Sequence, residues 1–322
     1  MALSRDKAGG SGTCFEGRND YRKRVHWNLD NTEAYFPTLS LATQERNTLT
    51  SRPAEQYWIM SPDPEDFHRR LQVDHFARIP HGISESEIQS AAETFLAFLA
   101  LPDATKRQLH FPARSHRASA DGFTDKTVVE QKDPKQFFHW SPSIASRKPC
   151  TYWTAKEPVV ENFFQAASRI YSLVETALLS VYSQFLPEYQ ERIFADGRLI
   201  DGILRFLCYA PRPQRAFCAQ AHFDKGFSTL ALADSAPGLR IGCCNAHPLT
   251  AVEHKAGFGV FMPAWMLFQA SGGAIKPAWH DVVHEPGVQN VNSICARWSI
   301  VFFVNDPQTP FTSWDAVHTP LH

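Results

Sequence analysis

At 322 residues the chain is long enough to bury a large core, and by length alone it permits one or two domains; one extended domain is the expectation. Lys and Arg number 32 against 33 Asp and Glu, for a net charge of −1 and a pI near 6.9. That balance offers no global basic field for nucleic acid or an acidic membrane, and a small neutral or zwitterionic partner fits it better. Seven cysteines, an odd number scattered from Cys14 to Cys295, do not form the framework of a secreted disulfide protein and point to a reducing compartment.

Residues 1–20 are glycine-rich and charged, with little apolar periodicity, and are expected to be mobile. The polar N-terminus lacks the apolar stretch of a signal peptide, and no run of about 18 apolar residues occurs, so the expectation is a cytoplasmic protein with no membrane contact. Ser84-Glu-Ser-Glu87 is a capping-box pattern ahead of Ile88, Ala92, Phe95 and Leu99, which share one helical face, and Pro102 stops the run. A longer helix is predicted from about Val159 to Leu186, with Phe163, Ala167, Ile170, Val174, Ala177, Leu178, Val181 and Phe185 inward and Pro187 as terminator. After Gly202 the period shifts to strands: Ile203–Tyr209, Thr229–Ala233, Leu239–Cys243, Gly259–Met262 and Ser299–Val304. Cys243 and Cys244 read as two buried small residues on one of these strands rather than as a redox pair. Many short strands after helices predict a mainly β fold with flanking α-helices, its core a double-sheet jelly roll (double-stranded β-helix) whose mouth suits a buried ligand.

Three sites along this core carry chemistry. His222 and Asp224 lie two apart on a predicted extended segment, so both side chains project from one face while Phe223 points away. A third ligand must come from a distant strand, and either His280 or His284 stands where one is needed. Two histidines and one carboxylate leave open positions on an octahedral ion, the arrangement of non-haem Fe(II) enzymes that activate dioxygen. Arg297 and Ser299 again share a strand face, where a planar guanidinium and a hydroxyl can grip one carboxylate. A structural salt bridge is the competing role for Arg297.

The words around these residues carry a resemblance. His222-Phe-Asp-Lys-Gly-Phe-Ser-Thr-Leu-Ala-Leu-Ala-Asp234 with Gly238-Leu-Arg-Ile241, then Gly272-Gly-Ala-Ile-Lys-Pro-Ala-Trp-His280, then Ala296-Arg-Trp-Ser-Ile-Val-Phe-Phe303 resemble the isopenicillin N synthase-like family of Fe(II) and 2-oxoglutarate dependent oxygenases. The likeness is strong over 203–304 and weaker over 74–140. It implies Fe(II) held by His222, Asp224 and His280, the last favoured over His284 by its spacing from Gly273 and Lys276. It further implies 2-oxoglutarate with its far carboxylate on Arg297 and Ser299, and Tyr209 donating to its other end, although Leu207 stands where an asparagine is frequent. Dioxygen completes the set.

The implied organisation is an N-terminal extension over 1–70, a helical region with a substrate-facing loop over 71–200, a jelly-roll core over 201–306 and a short tail over 307–322, too short for a lid. The region Asp121–Asp125 with Lys135–Trp140 resembles the family's substrate-facing part, placing Phe123, Phe138 and His139 as candidate contacts, with aromatic packing and a structural histidine as the alternatives. Glu285–Cys295 lengthens the usual spacing and is expected to form a loop. The implied activity is oxidation of a small molecule by hydroxylation, desaturation or cyclisation with release of succinate and CO2. Two rivals remain open: an oxidase of the same family that does not use 2-oxoglutarate, and a non-catalytic metal- or ligand-binding jelly roll.

Overall fold

The computed structural model describes residues 63–112, 120–127, 134–211, 216–244, 247–284 and 295–309, all within the unit Arg52–His322. The expected mobile tail, most of the 1–70 extension, residues 285–294 of the expected loop and the end of the C-terminal tail lie outside them. In chain order the first half holds α1 (Pro64–Val73), β1 (Ala77–Pro80), α2 (Glu85–Leu99), α3 (Asp103–Gln108), β2 (His110–Phe111), β3 (Asp121–Asp125) and β4 (Lys135–Trp140). It continues through α4 (Pro142–Ala145), α5 (Lys148–Lys156), α6 (Pro158–Phe185), α7 (Pro187–Ile193), β5 (Phe194–Ala195) and β6 (Arg198–Leu199). The second half is β7 (Gly202–Tyr209), β8 (Phe217–His222), β9 (Ser228–Asp234), β10 (Leu239–Gly242), β11 (Thr250–Ala251), β12 (Phe258–Pro263), α8 (Trp265–Ala270), β13 (Trp279–Val283) and β14 (Arg297–Val304).

Local chemistry sets the two long helices. Ser84 Oγ accepts from the Glu87 amide at 3.2 Å while Glu87 returns a carboxylate to the Ser84 amide at 3.1 Å, satisfying two otherwise orphaned donors at the start of α2. In α6, Pro158 occupies the first turn, where its missing N–H costs nothing, and Pro187 forbids continuation past Phe185. Helix α1 begins at Pro64, inside the stretch expected to be extension, capped by the Asp63 carboxylate. Among the described residues no helix is long and apolar enough to cross a membrane.

The strands form an eight-stranded sheet in the order β1-β12-β9-β14-β7-β4-β3-β2 and a four-stranded sheet in the order β11-β10-β13-β8. Both long central strands of the large sheet are buried on two sides, and their residues alternate between them. Leu204, Phe206 and Cys208 of β7 and Ile300, Phe302 and Val304 of β14 join α2 and α6 in the main core. Leu207, Tyr209 and Val301 face the other way and pack with Ala219, Leu239, Ile241 and Val282 of the small sheet. Two facing sheets with a helical layer behind the larger one are the expected helix-braced jelly roll. Strands β3 and β4 occupy the region that resembles the family's substrate-facing part; they pair with each other, and β4 pairs with β7 along its whole length and extends the large sheet.

Next to β1, His81 is 3% exposed, its Nδ1 accepts from the Ile83 amide at 3.1 Å and its Nε2 has no hydrogen-bond partner among the described residues. Burial, helped by His254, pushes its pKa down to about 4. A depressed base is protonated first in the unfolded chain, so its contribution is whole above the unfolded value near 6.5 and is lost as pH falls toward 4. Urea unfolding at pH 7.5 and 4.5 is expected to show a loss of about 2–3 kcal/mol from this group, absent in His81→Gln. An unchanged pH slope in that variant would place the acid sensitivity elsewhere.

Candidate metal centre and cavity

The small sheet brings two distant histidines together. Strands β8 and β13 are antiparallel, His222 stands directly opposite His280, and their ring centroids are 4.5 Å apart. Asp224 comes from a different setting than expected: β8 ends at His222, so the carboxylate sits in the turn to β9 and not on the strand. That turn is pinned on both sides. The Trp265 amide donates to the Asp224 carbonyl at 2.9 Å, and the Phe227 amide to the Val304 carbonyl at 2.7 Å. Gly226 is required here, because a Cβ would fall 2.6 Å from the Val304 carbonyl oxygen. Phe223 points away, fully buried against Trp265 and Trp279.

The ligand-type atoms of His222, Asp224 and His280 lie within 4.8 Å of one another. Asp224 Oδ1 is 3.5 Å from His222 Nε2, and Oδ2 is 3.7 Å from His280 Nε2. Neighbouring ligands on one ion at bond lengths of about 2.1 Å stand roughly 3 Å apart, so closing on a metal needs shifts of only about half an ångström. Each imidazole is oriented by a backbone carbonyl: His222 Nδ1 is 2.6 Å from Gln220 O, and His280 Nδ1 is 3.0 Å from Ala278 O. A carbonyl accepts, so the proton resides on Nδ1 and Nε2 turns its lone pair inward, as a metal requires. Burial pushes His280 below its ordinary pKa, which favours that neutral ring. Burial would raise Asp224, but His280, His222 and the Thr229 hydroxyl, 2.7 Å from Oδ2, outweigh it and hold the carboxyl well below the usual range. Two inward-facing imidazole nitrogens beside an ionised carboxylate fit a divalent cation.

The cavity lined by these residues is lined also by Tyr209, Asp234, Arg297 and Ser299. Arg297 and Tyr209 are register partners on β14 and β7, and both are buried, as is Ser299. The guanidinium is held by Nε to the Ala236 carbonyl at 2.9 Å and by Nη2 to Asp234 at 2.8 Å, while Nη1 has no acceptor among the described residues. Arg297 is therefore part of a salt bridge and still presents donors inward. Burial raises the Tyr209 phenol to about 12, so at neutral pH it is an uncharged hydrogen-bonding group next to Ser299. His284 is buried just past the end of β13 and is not part of the three-residue group.

No family model matches the chain, and no curated protein does. Solved structures do. The chain is similar to dioxygenase for auxin oxidation 1 from Arabidopsis thaliana in binary complex with 2-oxoglutarate, at 16% identity over 78% of this chain and 90% of that one, with a TM-score of 0.56. JOX2 in complex with 2-oxoglutarate, iron and JA matches at 17% identity over 80% of this chain and 77% of that one, with a TM-score of 0.56. A full-length Neurospora crassa protein in complex with α-ketoglutarate and 5-formyluracil matches at 19% identity over 75% of this chain and 78% of that one, with a TM-score of 0.52. The fold is that of the Fe(II)/2-oxoglutarate oxygenases.

Within this oxygenase fold the three candidate substrate contacts lie elsewhere than expected. Phe138 is fully buried on the helix side of β4, packed against Phe98, Phe163 and Phe164. Phe123, 3% exposed, packs on Phe98 and under Lys106, away from the candidate ligands. Both are core aromatics. His139 is fully buried, hydrogen-bonded to the Ala120 carbonyl at 2.7 Å and to Arg205 at 2.6 Å, so it supports a cavity residue without lining the cavity itself. Arg205 and Thr229 line the cavity and were missed. The legible signal for Arg205 was a lone charge at the centre of an apolar strand, in step with Leu207 and Tyr209. Cys243 and Cys244 are half-buried beyond the end of β10, not on the strand, with sulfurs 3.3 Å apart. Burial and the adjoining thiol raise Cys243, which makes it a poor nucleophile.

Proposed function

We propose that the protein is an Fe(II)/2-oxoglutarate-dependent oxygenase that oxidises a small molecule. The observation that carries this reading is the convergence of His222, Asp224 and His280, with both imidazoles turned Nε2-inward, on a cavity that Arg297, Ser299 and Tyr209 also line. Fe(II), held by the three side chains, supplies the oxidising chemistry with 2-oxoglutarate and dioxygen as co-substrates and succinate and CO2 as co-products.

The chain's own contribution is holding and orienting. The Gln220 and Ala278 carbonyls fix the two rings, and Thr229 fixes the carboxylate plane of Asp224. Arg297, braced by Asp234, and the Ser299 hydroxyl grip the far carboxylate of 2-oxoglutarate, with Tyr209 closing the same end. Apolar residues from both sheets, among them Leu239, Met262 and Val282, keep water from this end of the cavity. No side chain is required as a strong acid or base.

Anaerobic titration of the Fe(II)-loaded protein with 2-oxoglutarate tests the proposal through the visible metal-to-ligand charge-transfer band of the chelate. A saturable band is expected. Iron binding without a band would favour the oxidase, and no iron binding would remove the catalytic account. In the same titration Arg297→Ala is expected to raise the 2-oxoglutarate half-saturation roughly 10–100-fold, the equivalent of about 1.5–3 kcal/mol for hydrogen bonds to a charged group. Fe(II) affinity should be unchanged. Because the substitution strands Asp234, the double variant Arg297→Ala/Asp234→Asn serves as the check on folding.

A further inference from the structure

Arg205 sits in the middle of β7 and projects into the cavity. Its Nε donates to His139 Nε2 at 2.6 Å, and His139 Nδ1 lies 2.7 Å from the Ala120 carbonyl, so the imidazole proton is on Nδ1 and the ring is a neutral acceptor. The guanidinium carbon is 5.0 Å from the Phe137 ring centroid and 4.4 Å from that of Phe303. Strand, histidine and two rings together fix the plane of the fork. They occupy only Nε: among the described residues neither Nη nitrogen of Arg205 has an acceptor.

The two cavity arginines differ in how their charge is met. Arg297 is braced by a carboxylate, so its charge is balanced within the protein. Arg205 is braced by an uncharged imidazole, which holds it in place and leaves its charge to the cavity. Burial lowers Arg205 to about 10, with Asp224 and Tyr209 acting in the opposite direction, so it stays a cation at neutral pH. A largely desolvated guanidinium with its fork unfilled is costly unless an anion meets it. Among the described residues Arg297 is paired with Asp234, whereas no ion pair is formed by Arg205.

Arg205 and Arg297 are also separated along the sheet. Arg205 pairs with Val301, four residues along β14 from Arg297, a separation of roughly 13 Å at about 3.3 Å per residue. Arg205 lines the same cavity as His222, Asp224 and His280.

We propose that Arg205 anchors the primary substrate and that this substrate is a small monocarboxylic acid. Its carboxylate takes both Nη donors of the fork, and its hydrocarbon part lies along Val301 and Phe303 beside the metal position. This rests on the oxygenase reading and narrows its substrate class. His139 is the positioning residue that aims the fork.

The test uses the full chain loaded with Fe(II) and 2-oxoglutarate. Benzoate, phenylacetate, cinnamate and octanoate are each compared with the corresponding primary amide, by perturbation of the chelate band and by stimulated succinate formation. At least one acid is expected to bind in the millimolar range or tighter, and its amide at least 10-fold more weakly. Arg205→Gln should weaken the best acid at least 10-fold and bring acid and amide to similar affinity, while the 2-oxoglutarate half-saturation stays within about twofold. Arg205→Lys, which keeps the charge without the fork, should retain part of the preference, and it carries the test if the glutamine variant does not fold. Acids no better than amides, no acid binding, or an acid preference that survives Arg205→Gln would overturn the proposal. So would a 2-oxoglutarate half-saturation that moves with Arg205 instead of Arg297. Absence of the chelate band from the wild-type protein would instead be a failure of the oxygenase reading, before Arg205 is in question.

Discussion

Asp224→Ala is expected to lose Fe(II) retention and turnover together. Three side chains converge, and Asp224 is the only anionic one, flanked by both histidines and oriented by Thr229. Removing it leaves two neutral imidazoles, which hold a hard, oxygen-preferring divalent ion poorly. Even an outer partner of a metal ligand costs about 10–100-fold in affinity or activity, so loss of the carboxylate itself should exceed roughly 100-fold in both. The fold should survive, because the turn is pinned by backbone bonds of residues 224, 226 and 227, which alanine keeps. Iron retained after gel filtration and succinate formed per minute measure the two losses, and circular dichroism checks the fold. A variant that keeps iron and turns over at the wild-type rate would exclude these residues as the metal centre.

Phe163→Ala should cost about 3–5 kcal/mol of stability, the range for truncating a fully buried phenylalanine. Phe163 is 0% exposed and its ring touches those of Phe95, Phe98, Phe138 and Phe206, with centroids 5.6, 5.2, 5.2 and 5.1 Å away. Four elements, α2, α6, β4 and β7, meet at that one ring, and none can close the gap without moving the others. A domain is stable by only about 5–15 kcal/mol, so the loss is a large fraction of the whole. Urea unfolding should show a lower midpoint with a similar slope. Phe217→Ala, at a position 40% exposed, should change little and serves as the control. A loss below about 1 kcal/mol for Phe163→Ala would mean that the aromatic cluster is not packed as described. Activity per folded molecule should remain, since the ring lies on the helix side of the sheet, away from the cavity.

The parts that could be read in advance are those whose signal is local. Helices α2 and α6 announce themselves by a capping box, bracketing prolines and an apolar stripe, and both end within about two residues of where these signals place them. The strands after Gly202 follow from β-branched and aromatic runs between turn residues. Pairing is another matter. Nothing in the local sequence says that β14 lies between β7 and β9, or that His280 stops opposite His222, because register is decided by contacts between segments far apart in the chain. The aromatic run Lys135–Trp140 shows the difficulty at its sharpest. Phe137 and Phe138 are adjacent and alike, yet Phe137 joins the core between the sheets and Phe138 the core under the helices. The resemblance implies a substrate-facing surface here, and only the strand's two sides separate the residues. Arg205 was overlooked for a related reason, since its meaning depends on His139, 66 positions earlier.

The alternation on β14 has a consequence for how this protein can change. Its even-numbered positions are written in the vocabulary of packing, and its odd-numbered ones, Arg297, Ser299, Val301 and Phe303, face the cavity. The two texts are interleaved letter by letter in one strand. Substitutions can revise either text alone, so thermal robustness and ligand preference are free to drift separately. A single-residue insertion or deletion within the strand spares neither: it turns Arg297 into the phenylalanine layer and a tryptophan or isoleucine into the cavity. Lineages of this chain should therefore vary at β14 by replacement and hold its length constant.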